Sequence, residues 1–171
     1  MEQLHPVFGK LTETEFGDYE AVRRIPFAGT DVEVQVTFDG PVTDEHSRAY
    51  LALVENLDRI TPDILQAVLE YQNAHYDDTD HTSSFAYFGS AQDVLENTVL
   101  YGIALQTRLF HIVTDSDRYR EAVEDPQDTA QKQRCAVLLF DADWVNDDYR
   151  ILSVALANEH VVYVTQGNIS D

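Results

Sequence analysis

Five apolar residues in succession, Ala136-Val137-Leu138-Leu139-Phe140, restrict the folding of this chain more than any other feature. Successive side chains of a strand point to opposite faces, so an unbroken apolar run of strand length describes a strand covered on both sides. Upstream stands a different pattern. Val32, Val34, Val36 and Phe38 alternate with Glu33, Gln35 and Thr37, which puts apolar side chains on one face and polar ones on the other until Asp39-Gly40-Pro41 ends the strand.

Around these two anchors the remaining elements follow from spacing. A short apolar segment, Val7 to Leu11, is entered through Pro6, and Tyr19 to Ile25 reads as a strand that Pro26 to Thr30 turns. Thr43 caps a helix with Asp44 and Glu45 in its first turn, where carboxylates favour the helix dipole. Its stripe is Tyr50, Leu53, Val54, Leu57 and Ile60. Thr61-Pro62 is a start signal, a capping hydroxyl before proline at the first helical position, so a second helix through Gln72 is expected to form a helical hairpin with the first. His75 to Ser84 is a polar loop. Ser90-Ala91-Gln92-Asp93 resembles a capping box opening a third helix through Val94, Leu95, Thr98 and Val99 that ends near Gly102. Ile103 to Thr114 is expected as a strand, and Asp115 to Gln133 as a charged surface excursion with a helical turn or two around Tyr119 to Val123. Ile151 to Ala157 and His160 to Gln166 flank the turn Asn158-Glu159 as an antiparallel hairpin. The order strands, helices, strands implies an α+β fold: an antiparallel sheet of about five to seven strands, with three helices packed mainly on one face.

Charge governs what such a fold can meet. There are 31 Asp and Glu against 11 Lys and Arg, a net charge of −20, and only Lys10 and Lys132 are lysines. Anionic lipid and nucleic-acid phosphates repel a surface of this sign, so neither a membrane nor direct nucleic-acid binding is expected. The acidity reads either as a solvated coat, as in haloadapted proteins, or as a field that steers a basic protein partner. With 171 residues, 44% of them apolar, the chain is expected to fold as one domain over residues 1–171. A single cysteine excludes an intrachain disulfide, and Met1 to Pro6 lacks the basic and apolar regions of a signal peptide; the expected compartment is the cytoplasm.

Few side-chain constellations carry chemistry. His75-Tyr76-Asp77-Asp78-Thr79-Asp80-His81 holds two imidazoles and three carboxylates, yet histidines six apart match no common zinc arrangement, and no metal or other cofactor is expected. Asp141, Asp143, Asp147 and Asp148 surround Trp144, but a calcium loop would need glycine where Asn146 stands and glutamate where Leu152 stands. These five residues are instead the candidate partner-binding set. A tryptophan collared by carboxylates suits a basic contact surface, while the bland alternative is an indole covering the end of the sheet. Cys135 reads as a buried structural thiol. No nucleophile elbow or phosphate-cradling glycine loop occurs, so no catalytic residue is assigned and the chain is not expected to be an enzyme.

The opening His5-Pro6-Val7-Phe8-Gly9 and the ending Asp141-Ala142-Asp143-Trp144 through Val161-Val162-Tyr163-Val164 resemble a group of small bacterial domains of unknown function. Some members of that group are similar to proteins encoded near polymorphic toxin systems, which implies an immunity role. In those relatives the tryptophan precedes acidic residues and a His-Gly pair; here Val145-Asn146-Asp147-Asp148-Tyr149-Arg150 follows it instead. The expected function is therefore an acidic, non-enzymatic cytoplasmic binding protein of toxin-immunity type. The alternatives are a small metal-dependent hydrolase using the His75 to His81 loop, or a nucleic-acid mimic.

Overall fold

A computed structural model describes residues 2–76, 87–109, 111–114, 116–122, 133–145 and 150–169. Eight strands form one sheet in chain order: β1 (Glu2–His5), β2 (Gly9–Glu13), β3 (Tyr19–Phe27), β4 (Thr30–Phe38), β5 (Val99–Gln106), β6 (Cys135–Asp141), β7 (Ile151–Ala157) and β8 (His160–Gln166). Every neighbouring pair is antiparallel except β4 and β5, which are parallel. That exception follows from chain path. Between β4 and β5 lie α1 (Asp44–His75) and α2 (Ala91–Glu96), the long crossover that a parallel pair requires and a hairpin does not. The fold is α+β, with one strand more than expected.

The additional strand is β1. Its residues, Glu-Gln-Leu-His, carry a single apolar side chain, and Leu4 points outward at 84% exposure, so no hydrophobic alternation announces it. Main-chain pairing to β2 holds it, through a turn built by His5-Pro6-Val7-Phe8-Gly9. The His5 Nδ1 accepts from the backbone N–H of Val7 (3.2 Å) and Phe8 (3.4 Å), and Phe8 drops into the core edge-on to Phe38 and Tyr50. Gly9 then takes φ +71°, a conformation that a side chain disfavours. At the β3–β4 hairpin the turn is the pair Ala28-Gly29, both at positive φ, so Pro26 and Phe27 still belong to β3.

The expected helical hairpin is instead one continuous helix, with Pro62 inside α1. Proline in a helix interior costs about 3 kcal/mol, whereas burying one Leu, Ile or Val side chain contributes about 1.5–3 kcal/mol. Beyond Pro62 the helix still buries Ile64, Leu65 and Val68, continuing the stripe of Leu53, Leu57 and Ile60. Packing outweighs the break. The Thr61 hydroxyl donates to the Leu57 carbonyl at 2.7 Å rather than capping a new helix. At its end α1 is tied down by Asn73, whose amide bonds both N–H and C=O of Phe88, and by the Tyr71 hydroxyl, which accepts from the Gln166 N–H.

Two apolar clusters occupy the two faces of the sheet. Ile103 and Leu105 of β5, Ala136, Leu138 and Phe140 of β6, and Leu152, Val154 and Leu156 of β7 pack with α1 and α2. Cys135, Val137, Leu139, Ala155 and Val162 lie on the opposite face with Val113 of α3 (His111–Thr114) and Tyr119 of α4 (Asp117–Ala122). This two-sided cover is why residues 136–140 are apolar without interruption. Over β3 and β4 the second face is bare: Glu20, Arg24, Glu33 and Gln35 alternate with core residues, and Val22 is 61% exposed. Ser90 caps α2 as its sequence implies, but the helix stops at Glu96. Val99 and Gly102 belong to β5, where a Cβ on Gly102 would meet the Leu139 side chain at 3.2 Å. Residues 111–114, expected to extend a strand, form the short turn of α3.

A single helix through Pro62 predicts that Pro62→Ala, by restoring an N–H donor, raises stability in urea unfolding by about 1–3 kcal/mol; loss of stability would contradict the continuous helix. The Asn158-Glu159 turn, at φ +48° and +62°, is held by a two-bond fork from Arg134 to the Glu159 carboxylate at 2.8 and 2.7 Å. Arg134→Ala should therefore lower the urea midpoint, by about 1 kcal/mol for a partly exposed pair.

Candidate functional site

The parallel strands β4 and β5 finish side by side, and a carboxylate joins them where they end. Asp39, the first residue past β4, gives its N–H to the Leu105 carbonyl at 3.2 Å. Its Oδ2 accepts from the N–H and the hydroxyl of Thr107, at 2.7 and 2.8 Å, just past β5. Its Oδ1 meets Nε2 of His46, 2.8 Å away in the first turn of α1. His46 is 1% exposed and stands in the capping box where Glu or Gln is usual; its Nδ1 accepts from the Thr43 N–H at 3.2 Å, leaving Nε2 as donor to Asp39. Burial pushes the Asp39 carboxyl up, but the bonds from Thr107 and His46 outweigh it and hold the group below its ordinary value. In the Thr43-His46-Asp39 series the two ring nitrogens of the buried His46 join the cap of α1 to the clamp.

Beside this clamp opens a cavity of about 330 Å³ on the sheet face opposite α1, lined from β3 through β6. Asp18, Tyr19, Asp39, Tyr101, Gln106 and Asn168 line it, and Phe16 also lines it while remaining 84% exposed. Gln106 is 4% exposed, and its Oε1 has no hydrogen-bond partner among the described residues. None of the described lining residues is Lys, Arg or His. Two other concavities differ in this respect. One of about 520 Å³ at the β8 edge includes Asp63 and Glu70 but also Arg118 and His160, with Arg118 paired to Glu70. A third of about 50 Å³ includes Arg48 and Arg134. Exposed carboxylates elsewhere are dispersed, on the β2–β3 loop (Glu15), β4 (Glu33), α1 (Glu55, Asp58, Asp63), α2 (Glu96), α4 (Asp117) and the end of β6 (Asp141).

Of the residues singled out from the sequence, Asp141, Asp143 and Trp144 lie at the other end of β5. Trp144 is 8% exposed, stands edge-on to Phe88 at 5.2 Å, and donates its Nε1–H to the Asn97 carbonyl at 3.0 Å. The indole covers the end of the sheet and offers no free contact surface. Asp141 is exposed, and Asp143 is exposed and paired with Arg150. Asp147 and Asp148 lie outside the described residues, as do residues 77–81 of the histidine loop. His75, the described histidine of that loop, hydrogen-bonds the Tyr71 carbonyl through Nδ1 at 2.7 Å. Among the described residues no group of three or more His, Cys, Asp or Glu side chains is arranged to hold a metal ion, and no helix is long and apolar enough to cross a membrane. Cys135 is buried; burial pushes its thiol up to about 11, with the Asp39 charge adding to the rise against a hydrogen bond from the Leu109 backbone. Sequence reasoning passed over Asp39 and Gln106. The first reads as a strand-ending turn residue, and the second gains its meaning only when Asp18, Tyr101 and Asn168 are brought around it.

Fold and cavity together define an acidic α+β protein built on one mixed sheet, with a cation-free concavity at its single parallel step. Residues 7–169 match the model of a family described as a domain of unknown function, DUF6985, and the chain belongs to that family. No curated protein and no solved structure matches it.

Removing the clamp has two expected consequences. Asp39→Asn should destabilise the protein by about 1–3 kcal/mol, because charge-assisted bonds weaken and the buried His46 donor loses its anion. The folded carboxyl titrates below the unfolded one, so its stabilisation is present above an unfolded value near 3.8 and is lost as pH falls through the lower folded value. Urea unfolding of the variant should accordingly show a shallower acid limb than wild type. Cys135 should stay silent to a thiol reagent at neutral pH in the native protein and react in urea; native reactivity would show an accessible thiolate.

Proposed function

We propose that this chain is an acidic, non-enzymatic binding protein that occludes a basic protein partner in the cytoplasm, in the manner of a toxin-immunity neutraliser. The observation that carries this reading is the cavity at the end of β4 and β5, which is walled by Asp18 and Asp39 with no Lys, Arg or His among its described lining residues and opens on the sheet face opposite α1. Dispersed carboxylates giving a net charge of −20 supply long-range attraction, while that cavity supplies a place for it to end. The adjoining outer face adds apolar contact. Leu4, Phe16 and Val22 are exposed there at 84, 84 and 61%, a feature suited to a protein surface rather than to solvent. Similarity of the His5 to Gly9 and Asp141 to Trp144 stretches to domains encoded near toxin systems agrees with an effector as the partner.

The test is co-expression with a basic effector domain encoded beside this gene, followed by affinity measurement across salt. Affinity should fall steeply between 50 and 500 mM salt, as the Debye length shrinks from roughly 14 to roughly 4 Å. A complex whose affinity is flat in salt would reject electrostatic steering as the use of the acidity. Competition with DNA for a DNA-binding protein would instead point to a nucleic-acid mimic.

A further inference from the structure

We infer that the cavity at the end of β4 and β5 is the receptor for one arginine side chain of the partner, an assignment that rests on the binding role proposed above. Four properties of the site lead to a guanidinium. The first is the orphaned acceptor: Gln106 is 4% exposed, lines the cavity, and its Oε1 receives no hydrogen bond among the described residues. A buried acceptor left unmet is destabilising, so a ligand that brings an N–H there removes that penalty. The second is sign. Asp18 and Asp39 line the same space without a cation, so the group that approaches Gln106 is a positively charged donor.

The third property is the open valence of Asp39. Its Oδ2 is saturated by the two Thr107 bonds, but Oδ1 is engaged by His46 alone and retains a lone pair. The His46 and Thr107 bonds also fix this carboxylate in place and keep it ionised, so the site is formed before the ligand arrives. The fourth is the aromatic wall. Phe16, Tyr19 and Tyr101 line the cavity, and aromatic faces attract the planar, weakly hydrated guanidinium more readily than a compact ammonium. Five N–H donors in a fixed fork can meet the Gln106 carbonyl and a carboxylate together, which three ammonium donors on a flexible stem do less well. A volume of about 330 Å³ leaves room for one arginine side chain.

Phe16 gives the site a rim. The turn that bears it is closed by Thr14, whose hydroxyl accepts from the Phe16 N–H and whose carbonyl accepts from the Gly17 N–H, with Gly17 at φ +86°. The turn holds the ring outward, where it can cover the stem of an inserted arginine and exclude water around the buried contact.

The experiment is a titration of the full chain with arginine blocked at both termini, followed by NMR, with blocked citrulline, blocked lysine and free arginine as comparison probes. Saturable shifts at Gln106 and its neighbours are expected with blocked arginine, with citrulline about tenfold weaker for lack of charge. Gln106→Leu and the surface change Asp18→Asn should each weaken that binding several-fold, and Asp143→Asn at the far end of β5 should not. The Asp18 variant leaves the core untouched, so it reads the site even if the Gln106 change disturbs folding. No saturable shift, equal binding of citrulline, or binding that survives both cavity changes would overturn the assignment. Tighter binding of free arginine than of the blocked form would also overturn it, by pointing to a metabolite instead of a protein side chain. If a basic effector is bound with steep salt dependence and Gln106→Leu leaves that affinity unchanged, the cavity assignment fails while the broader binding role stands.

Discussion

The sheet depends on how the chain manages its one parallel step, and the Asp39 carboxylate is where that is done. Seven strand pairings make up the sheet, and six are antiparallel. Most of those pairs follow one another through short connections, and β5 and β6 through a stretch that carries α3 and α4, whereas β4 and β5 are separated by α1 and α2 and have no shared turn to set their register. Asp39 does this with bonds to the backbone of Leu105, to Thr107 and to His46, so the end of β4, the end of β5 and the start of α1 are held at one point. The charge is tolerable because it is met by three donors from fixed positions.

From that junction the architecture divides unequally. One face of the sheet is closed along its length by α1, whose stripe runs on through Pro62; the other is closed only over β6 to β8, by α3 and α4. Over β1 to β4 the described residues leave that face open, with Leu4 and Val22 exposed, and the cavity lies at the border between this open part and β5 and β6. A protein with carboxylates on eight of its twelve described elements does not locate a site by acidity alone. What sets this cavity apart is the absence of the arginines that balance the other concavities, together with a buried amide whose oxygen has nothing to accept.

Much of the fold was legible residue by residue. The alternation of Val32 to Phe38, the capping signals at Thr43 and Ser90, the doubly covered run at 136–140 and the Asn158-Glu159 turn all reappear as β4, α1, α2, β6 and the β7–β8 hairpin, because each is governed by local periodicity or backbone chemistry. Thr61-Pro62 misled for the opposite reason: its local preference is a helix start, and it lost to a stripe of buried side chains on either side. The candidate site was hidden further still. Asp141, Asp143 and Trp144 stood out by composition, yet the indole is a core residue held by Phe88 and Asn97.

By itself, then, the sequence determined the α+β class, most strands and caps, the buried thiol of Cys135 and the sign of the electrostatic field, all of which depend on residue type and near-neighbour spacing. Tertiary structure decided that β4 and β5 run parallel, that α1 is unbroken, that one half of a sheet face stays bare, and that Asp18, Asp39, Tyr101 and Gln106 share a cavity. Those outcomes rest on contacts between residues tens of positions apart, whose free energy no local window of the chain contains.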